Sequence, residues 1–156
     1  MLMRLNSQKG FTLIELLVVI GIIAVLAGIT IVALNPARQF AQARNTQRWS
    51  NVNTILNAIG QRTADNRGVF ETGCAAGVIP TTSTKMAIGA GNYDIAPCII
   101  PTYVSTMPFD PTATGAHYTS NADYDTGYNV VRAAATGRIT VNAPTAELAE
   151  TISVTR

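Results

Sequence analysis

The chain has 156 residues, which suits one small domain with an appended element, and 47% of the residues are hydrophobic. Its net charge of +2 comes from Arg4 and Lys9, near the N-terminus. The rest of the chain contains nine basic and nine acidic residues, so its side-chain charges balance. No strongly basic region remains for nucleic acid, so we do not expect nucleic acid as a partner.

The apolar residues are concentrated near the N-terminus. Residues 11–34 are almost all apolar and include one charged residue, Glu15. As a helix this segment would be about 36 Å long at 1.5 Å per residue, enough to cross a hydrocarbon core of about 30 Å. By the positive-inside rule, Arg4 and Lys9 would stay in the cytoplasm and the bulk of the chain would lie outside.

Three ordinary interpretations of this segment leave features unexplained. A buried core helix would show a polar face, which residues 11–34 lack. A secretory signal peptide cut after Ala27 has no use for Glu15, or for apolar sequence that continues to Leu34. A plain membrane anchor explains the length and the orientation, but an ionisable group in a membrane helix usually has a partner and a function.

The string KGFTLIE at residues 9–15, with the apolar run after it, closely resembles the class III signal sequence of type IV pilins and type II secretion pseudopilins. The resemblance implies that a prepilin peptidase cuts after Gly10 and methylates the new amine of Phe11. It also implies that Glu15 is the assembly glutamate, which meets the Phe11 amine of a neighbouring copy. Opposite charges at contact in a low dielectric attract strongly, and each relieves the desolvation of the other.

Beyond Pro36, which we expect to kink the helix, the pattern becomes amphipathic. Apolar residues recur at spacings of three and four and predict a helix to about Arg62 that packs on a sheet. The apolar stripe consists of Trp49, Val52, Ile55, Leu56 and Ile59. We expect the more solvent-exposed faces of this helix to carry Arg38, Gln42, Arg44, Gln47 and Arg48.

The remaining polar part contains both cysteines, Cys74 and Cys98. Their spacing does not form a zinc pattern, and outside the cytoplasm a disulfide is the natural state, with two buried thiols as the alternative. Such a bond would close a loop of about 25 residues and stabilise the fold by about 3 kcal/mol. Glycines and prolines punctuate residues 65–111, which predicts a variable loop with short strands or helical turns.

Strand patterns follow at residues 128–133 and 138–142, and the four residues between them predict a hairpin. Residues 117–119 predict a third strand, and the MPFDP turn at 107–111 is similar to a pseudopilin pattern. The resemblance implies an α+β fold. In it a long N-terminal helix, transmembrane in its first half and amphipathic in its second, packs on a small antiparallel sheet.

Asp123 and Asp125 are weak candidates for calcium ligands, since oxygen ligands at alternate positions suit that ion. Turn formation by Asn and Asp is the simpler explanation, so we predict no metal site. His117 is the only histidine, and no nucleophile–base arrangement or phosphate-binding loop accompanies it. We therefore predict no enzymatic activity and no cofactor.

We predict four parts: a cleaved leader (1–10), a transmembrane and filament-core helix (11–35), its amphipathic continuation (36–62) and a head outside the cytoplasm (63–156). The predicted function is structural, as a subunit of a type IV pilus-like filament. The chain would span the inner membrane once and then enter an extracellular filament. The partners implied by the resemblance are the prepilin peptidase/N-methyltransferase, an assembly ATPase with its inner-membrane platform, and copies of the chain itself.

Two alternatives stay open. One is a pseudopilin of a type II secretion or DNA-uptake system, which shares the same N-terminal signal. The other is a singly anchored extracellular binding or adhesion module, in which the apolar helix serves only as an anchor.

Overall fold

The computed structural model describes residues 10–156, so most of the predicted leader, with Arg4 and Lys9, lies outside the described residues. The chain forms two compact units, of which the first ends at Gln39 and the second comprises Phe40–Arg156. We call the second unit the head; it begins earlier in the chain than the predicted head at 63–156.

Helix α1 spans Leu13–Leu34 and begins at a capping box. The Thr12 hydroxyl accepts a hydrogen bond from the Glu15 amide, and the Glu15 carboxylate accepts one from the Thr12 amide at 2.8 Å. This arrangement satisfies two amides that the helix cannot pair itself. No residue of α1 is buried, and the helical segment Leu13–Asp65 contains a stretch of mean hydropathy 3.0, apolar enough to cross a membrane.

Asn35 separates α1 from the 30-residue helix α2, which spans Pro36–Asp65. Its backbone is left-handed, with φ of 41°, and its carbonyl and side-chain oxygens both accept hydrogen bonds from the Arg38 amide. Pro36 is the first residue of α2, where its missing amide hydrogen costs no hydrogen bond within the helix. The helix therefore breaks at Asn35, one residue before the kink that we expected at Pro36. Helix α2 ends at Asp65, three residues beyond the predicted end at Arg62.

A small antiparallel sheet forms the other main part of the second unit. The strands are ordered β1-β3-β4-β5, and β2 pairs with the start of β3. Their bounds are Thr84–Ala87 for β1, His117–Ser120 for β2, Asp123–Arg132 for β3, Ile139–Ala143 for β4 and Ile152–Thr155 for β5; the short helix α3 spans Ala96–Ile99.

The core lies between α2 and this sheet. It contains the apolar stripe of α2, with Val52 and Ile55 fully buried, and sheet residues such as Tyr128 and Val141. Fully burying one such side chain stabilises a fold by about 1.5–3 kcal/mol relative to leaving it exposed. The predicted α+β class, with the helix packed on a small antiparallel sheet, is confirmed.

Several local predictions also hold. The hairpin of β3 and β4 pairs Asn129 with Asn142 and Arg132 with Ile139. Residues 65–111 contain one short strand, β1, and one helical turn, α3. The strand β5 near the C-terminus was not predicted from the sequence. A disulfide joins Cys74, beyond the end of α2, to Cys98 in α3, with 5.3 Å between the Cα atoms.

Candidate functional site

The predicted processing and assembly residues lie together at the start of α1. Gly10 and Phe11 precede the helix, and Phe11 is 89% exposed. Glu15 lies in the first turn, where a carboxylate interacts favourably with the helix dipole. Its atom Oε2 accepts hydrogen bonds from the amide and the hydroxyl of Thr12, at 2.8 and 2.7 Å. Both bonds go to one oxygen, so Oε1 can accept a further donor.

The side chains of α1 have no core of their own. Its large apolar residues are between 51% exposed, at Val18, and 82% exposed, at Leu13 and Val32. Exposure of an apolar surface of this extent to water is energetically unfavourable. Lipid or other protein chains must therefore cover α1.

The prediction that Arg48 lies on a wet face of α2 is wrong, because its side chain is completely buried. Its Nε donates to Asp110 at 2.8 Å, and its Nη2 donates to Asp110 at 3.2 Å and to Thr112 at 2.6 Å. Arg48 precedes Val52 by four residues and Ile55 by seven, so helix geometry places it on the apolar stripe itself. This spacing was the signal in the sequence that Arg48 is buried. Because Arg48 is charged, we expected it on a solvent-exposed face instead.

Asp110 is the buried partner of Arg48 and belongs to the predicted MPFDP turn. It also accepts hydrogen bonds from the Thr145 hydroxyl at 2.6 Å and from the Thr112 and Ala113 amides at 2.8 and 2.9 Å. Burial alone would raise the pKa of Asp110, but the bonds from Arg48, Thr145 and the two amides outweigh burial and lower this pKa. The carboxylate therefore stays ionised inside the head.

Gly127 on β3 makes this close packing possible. A Cβ at this position would lie 2.9 Å from the Ala113 Cβ and 3.0 Å from the Asp110 Cβ. The backbone φ of +70° also favours glycine.

Glu147 attaches the C-terminal part of the chain to α2. Its carboxylate accepts two bonds from Arg44, at 2.7 and 2.5 Å, and one from Arg48 at 2.8 Å. These hydrogen bonds, first from Arg44 and then from Arg48, lower the pKa of Glu147 to about 2. We call Arg44, Arg48, Asp110 and Glu147 the α2 clamp. Its charged groups are paired with one another, which suits a structural role.

The two weak calcium candidates have different partners. Asp123 accepts from the His117 ring at 3.0 Å, whereas Asp125 pairs with Lys85 and accepts from the Gly127 amide. The Gly115 carbonyl and then Asp123 raise the pKa of His117. Within residues 10–156, no group of three His, Cys, Asp or Glu side chains is arranged to hold a metal.

A family model described as the prokaryotic N-terminal methylation motif matches residues 5–31. This segment is a class III signal sequence of the type IV pilin and pseudopilin kind. No curated protein and no solved structure matches the chain. The signal sequence includes Gly10, Phe11, Glu15 and most of α1, and it indicates a structural subunit that is anchored in a membrane by α1.

Proposed function

We propose that the chain is a structural subunit of a type IV pilus-like filament, cut after Gly10, N-methylated on Phe11 and polymerised through α1. The observation that carries this proposal is one acidic residue at the start of an apolar helix that buries none of its residues, inside a methylation motif. Filament formation would cover α1 with the same helix of other copies.

Cleavage after Gly10 would create an ammonium group on Phe11, about one helical turn before Glu15. Each charge is costly in an apolar setting when it has no partner. In the proposed filament the Glu15 carboxylate of one copy meets the Phe11 ammonium of a neighbour, through the oxygen that the capping box leaves open. Because the apolar side chains of α1 pack without strong directionality, this ion pair would set the axial register between copies.

The head supports this role by folding around its own core and ion pairs. Its closed core leaves α1 available for the membrane before assembly and for other copies afterwards. The partners in this proposal are the prepilin peptidase, an assembly ATPase with its inner-membrane platform, and further copies of the chain.

The proposal is tested by replacing Glu15→Val in cells that produce the protein. We expect the variant to be cut and methylated as usual, because the cleavage site is unchanged, but to yield no filaments in electron micrographs. Leu16→Ile is the matched control, since it changes a neighbouring exposed side chain without altering charge, and it should leave filaments intact.

Normal filaments from Glu15→Val would contradict the assembly role of this residue. A pseudopilin would give a different pattern, in which the unaltered protein is processed but leaves no surface filaments.

A further inference from the structure

Arg62, near the end of α2, joins the two segments that carry the disulfide. Its Nε donates to the Phe70 carbonyl at 2.8 Å, and its Nη2 donates to the Thr72 carbonyl at 2.6 Å. Its Nη1 donates to the carbonyl of Cys98 itself, at 2.8 Å. One planar guanidinium group thus bonds backbone atoms on both sides of the disulfide between Cys74 and Cys98. Hydrogen bonds from a charged donor are stronger than neutral ones, so this arrangement holds the two segments together.

The two cysteines differ in how the rest of the head holds them. Cys98 belongs to α3 and is 2% exposed, so packing in the core fixes its position. Cys74 is half-buried and lies in a segment, residues 71–78, that contains no buried residue. Its amide donates to the Glu71 carbonyl at 3.2 Å, and this turn attaches Cys74 to the segment that Arg62 bonds. The core therefore positions Cys98, whereas Arg62 positions the segment of Cys74.

Phe70 adds an apolar contact to the same attachment. Its side chain is 5% exposed, and the guanidinium carbon of Arg62 lies 5.7 Å from the centre of its ring. A cation over the face of an aromatic ring is attracted by the electron density of the ring. Arg62 thus holds both the backbone and the side chain of Phe70, four residues before Cys74. None of these contacts involves a sulfur atom, so they can form before the disulfide does.

We propose that Arg62 is a positioning residue for disulfide formation, which holds the Cys74 thiol beside the Cys98 thiol in the reduced head. A molecule that carries a disulfide of its own, the disulfide donor, then completes the bond by thiol–disulfide exchange. Holding two reacting groups together raises their effective concentration and favours their reaction with each other. This role depends on the head alone and not on filament assembly.

The exchange starts at Cys74, because this residue is more exposed than Cys98. The Cys74 thiolate attacks one sulfur of the donor and displaces one donor thiolate, which leaves a mixed disulfide on Cys74. The Cys98 thiolate then attacks the Cys74 sulfur and displaces the second donor thiolate. The two cysteine thiols lose two protons and two electrons. The electrons reduce the donor disulfide, and the protons complete its two thiols.

The test measures the effective concentration of the two thiols in the full-length, detergent-solubilised protein. Reduced protein is equilibrated with mixtures of reduced and oxidised glutathione. Mass spectrometry then gives the fractions of chains that are reduced, bonded to glutathione or bonded internally, and circular dichroism verifies that each reduced variant is folded. The parent should convert to the internal bond with little mixed disulfide.

Arg62→Met keeps a long side chain but removes all three hydrogen bonds. Losing hydrogen bonds from a charged group typically changes an equilibrium by a factor of about ten or more, so the effective concentration should fall at least about tenfold. Glutathione should then accumulate on Cys74, which peptide mapping detects. An unchanged effective concentration in folded Arg62→Met would overturn the positioning role.

Val52→Ala is the matched control for a general loss of stability, since Val52 is fully buried in the core and lies ten residues before Arg62. It should lower the denaturation midpoint, because it leaves a cavity in the core. It should leave the effective concentration of the thiols unchanged, because Arg62 still holds the segment of Cys74. Equal decreases in Val52→Ala and Arg62→Met would also overturn the proposal.

Arg62→Lys separates the position of the donors from their charge. It keeps the positive charge but replaces the planar fork by one compact ammonium group. Its effective concentration should lie between those of the parent and Arg62→Met, and it decides the matter against the parent where Arg62→Met does not fold when reduced. A value equal to that of the parent would show that charge alone suffices, which would contradict the role of the three hydrogen bonds.

Discussion

Helix α1 and the head differ in how a charged residue within an apolar surface is paired. In the head, Arg48 lies on the apolar stripe of α2 and is fully buried, with its partners supplied by the same chain. In α1, Glu15 begins a helix with no buried residue, and its bonds within the chain go to the adjacent cap. The charges of the α2 clamp therefore need no partner from outside the chain, whereas α1 needs a membrane or other copies.

Removing the arginine charge from the α2 clamp should destabilise the head more than any other change considered. Arg48→Met would leave Asp110 buried without its ionic partner, and losing one member of a buried pair typically costs about 3–5 kcal/mol. Denaturant unfolding of the detergent-solubilised protein should show this loss in the free energy of unfolding. Cleavage after Gly10 and membrane insertion should be unaffected, because they depend on the N-terminal segment.

Arg38→Met is the control for this experiment, since Arg38 is an exposed arginine on the same helix. It should change the free energy of unfolding by no more than about 0.5 kcal/mol. Equal effects from the two variants would show that the buried pair does not hold the head together.

The disulfide should contribute less to the stability of the head than the α2 clamp does. Replacing both Cys74→Ser and Cys98→Ser should lower the free energy of unfolding by about 3 kcal/mol, because the unfolded chain regains the freedom of a long loop. Reduction of the unaltered protein should shift its denaturation midpoint in the same direction. A double variant as stable as the parent would mean that the bond is dispensable for the head.

The smallest expected effect concerns pH. The pKa of Glu147 is about 2 in the folded head, below its ordinary value of 4.5, so the folded state favours the ionised carboxylate. This contribution to stability is present above pH 4.5 and is lost as the pH falls from 4.5 towards 2. Thermal midpoints of the parent and Glu147→Gln should differ at pH 7 and converge over that range. A difference that stays constant down to pH 2.5 would contradict the assigned ion pairs.

The sequence predicted those features that depend on local pattern. The apolar run of α1 follows from its length and composition, whereas the stripe of α2 and the hairpin at residues 128–142 follow from periodicities of 3.6 and 2. The sequence did not reveal that Asp110 and Glu147 lie beside Arg48, since they are separated from it by 62 and 99 positions. An arginine on an apolar stripe indicates that it has partners in the core, but it does not show which residues they are. The short strand β5 was missed because its four residues give no long alternating pattern.

The proposed functional residues divide in the same way. Gly10, Phe11 and Glu15 lie in one short motif, so they are found without any knowledge of the fold. The α2 clamp is assembled from residues that are distant in the chain, and no local pattern marks it.

Processing after Gly10 is proposed to create the amine with which Glu15 pairs, and the mass of the mature N-terminal peptide shows whether that amine exists. Mass spectrometry of the protein purified from producing cells should give an N-terminal peptide that begins at N-methylated Phe11. A peptide that retains Met1, or one that begins at Gly28 after a cut behind Ala27, would contradict the account.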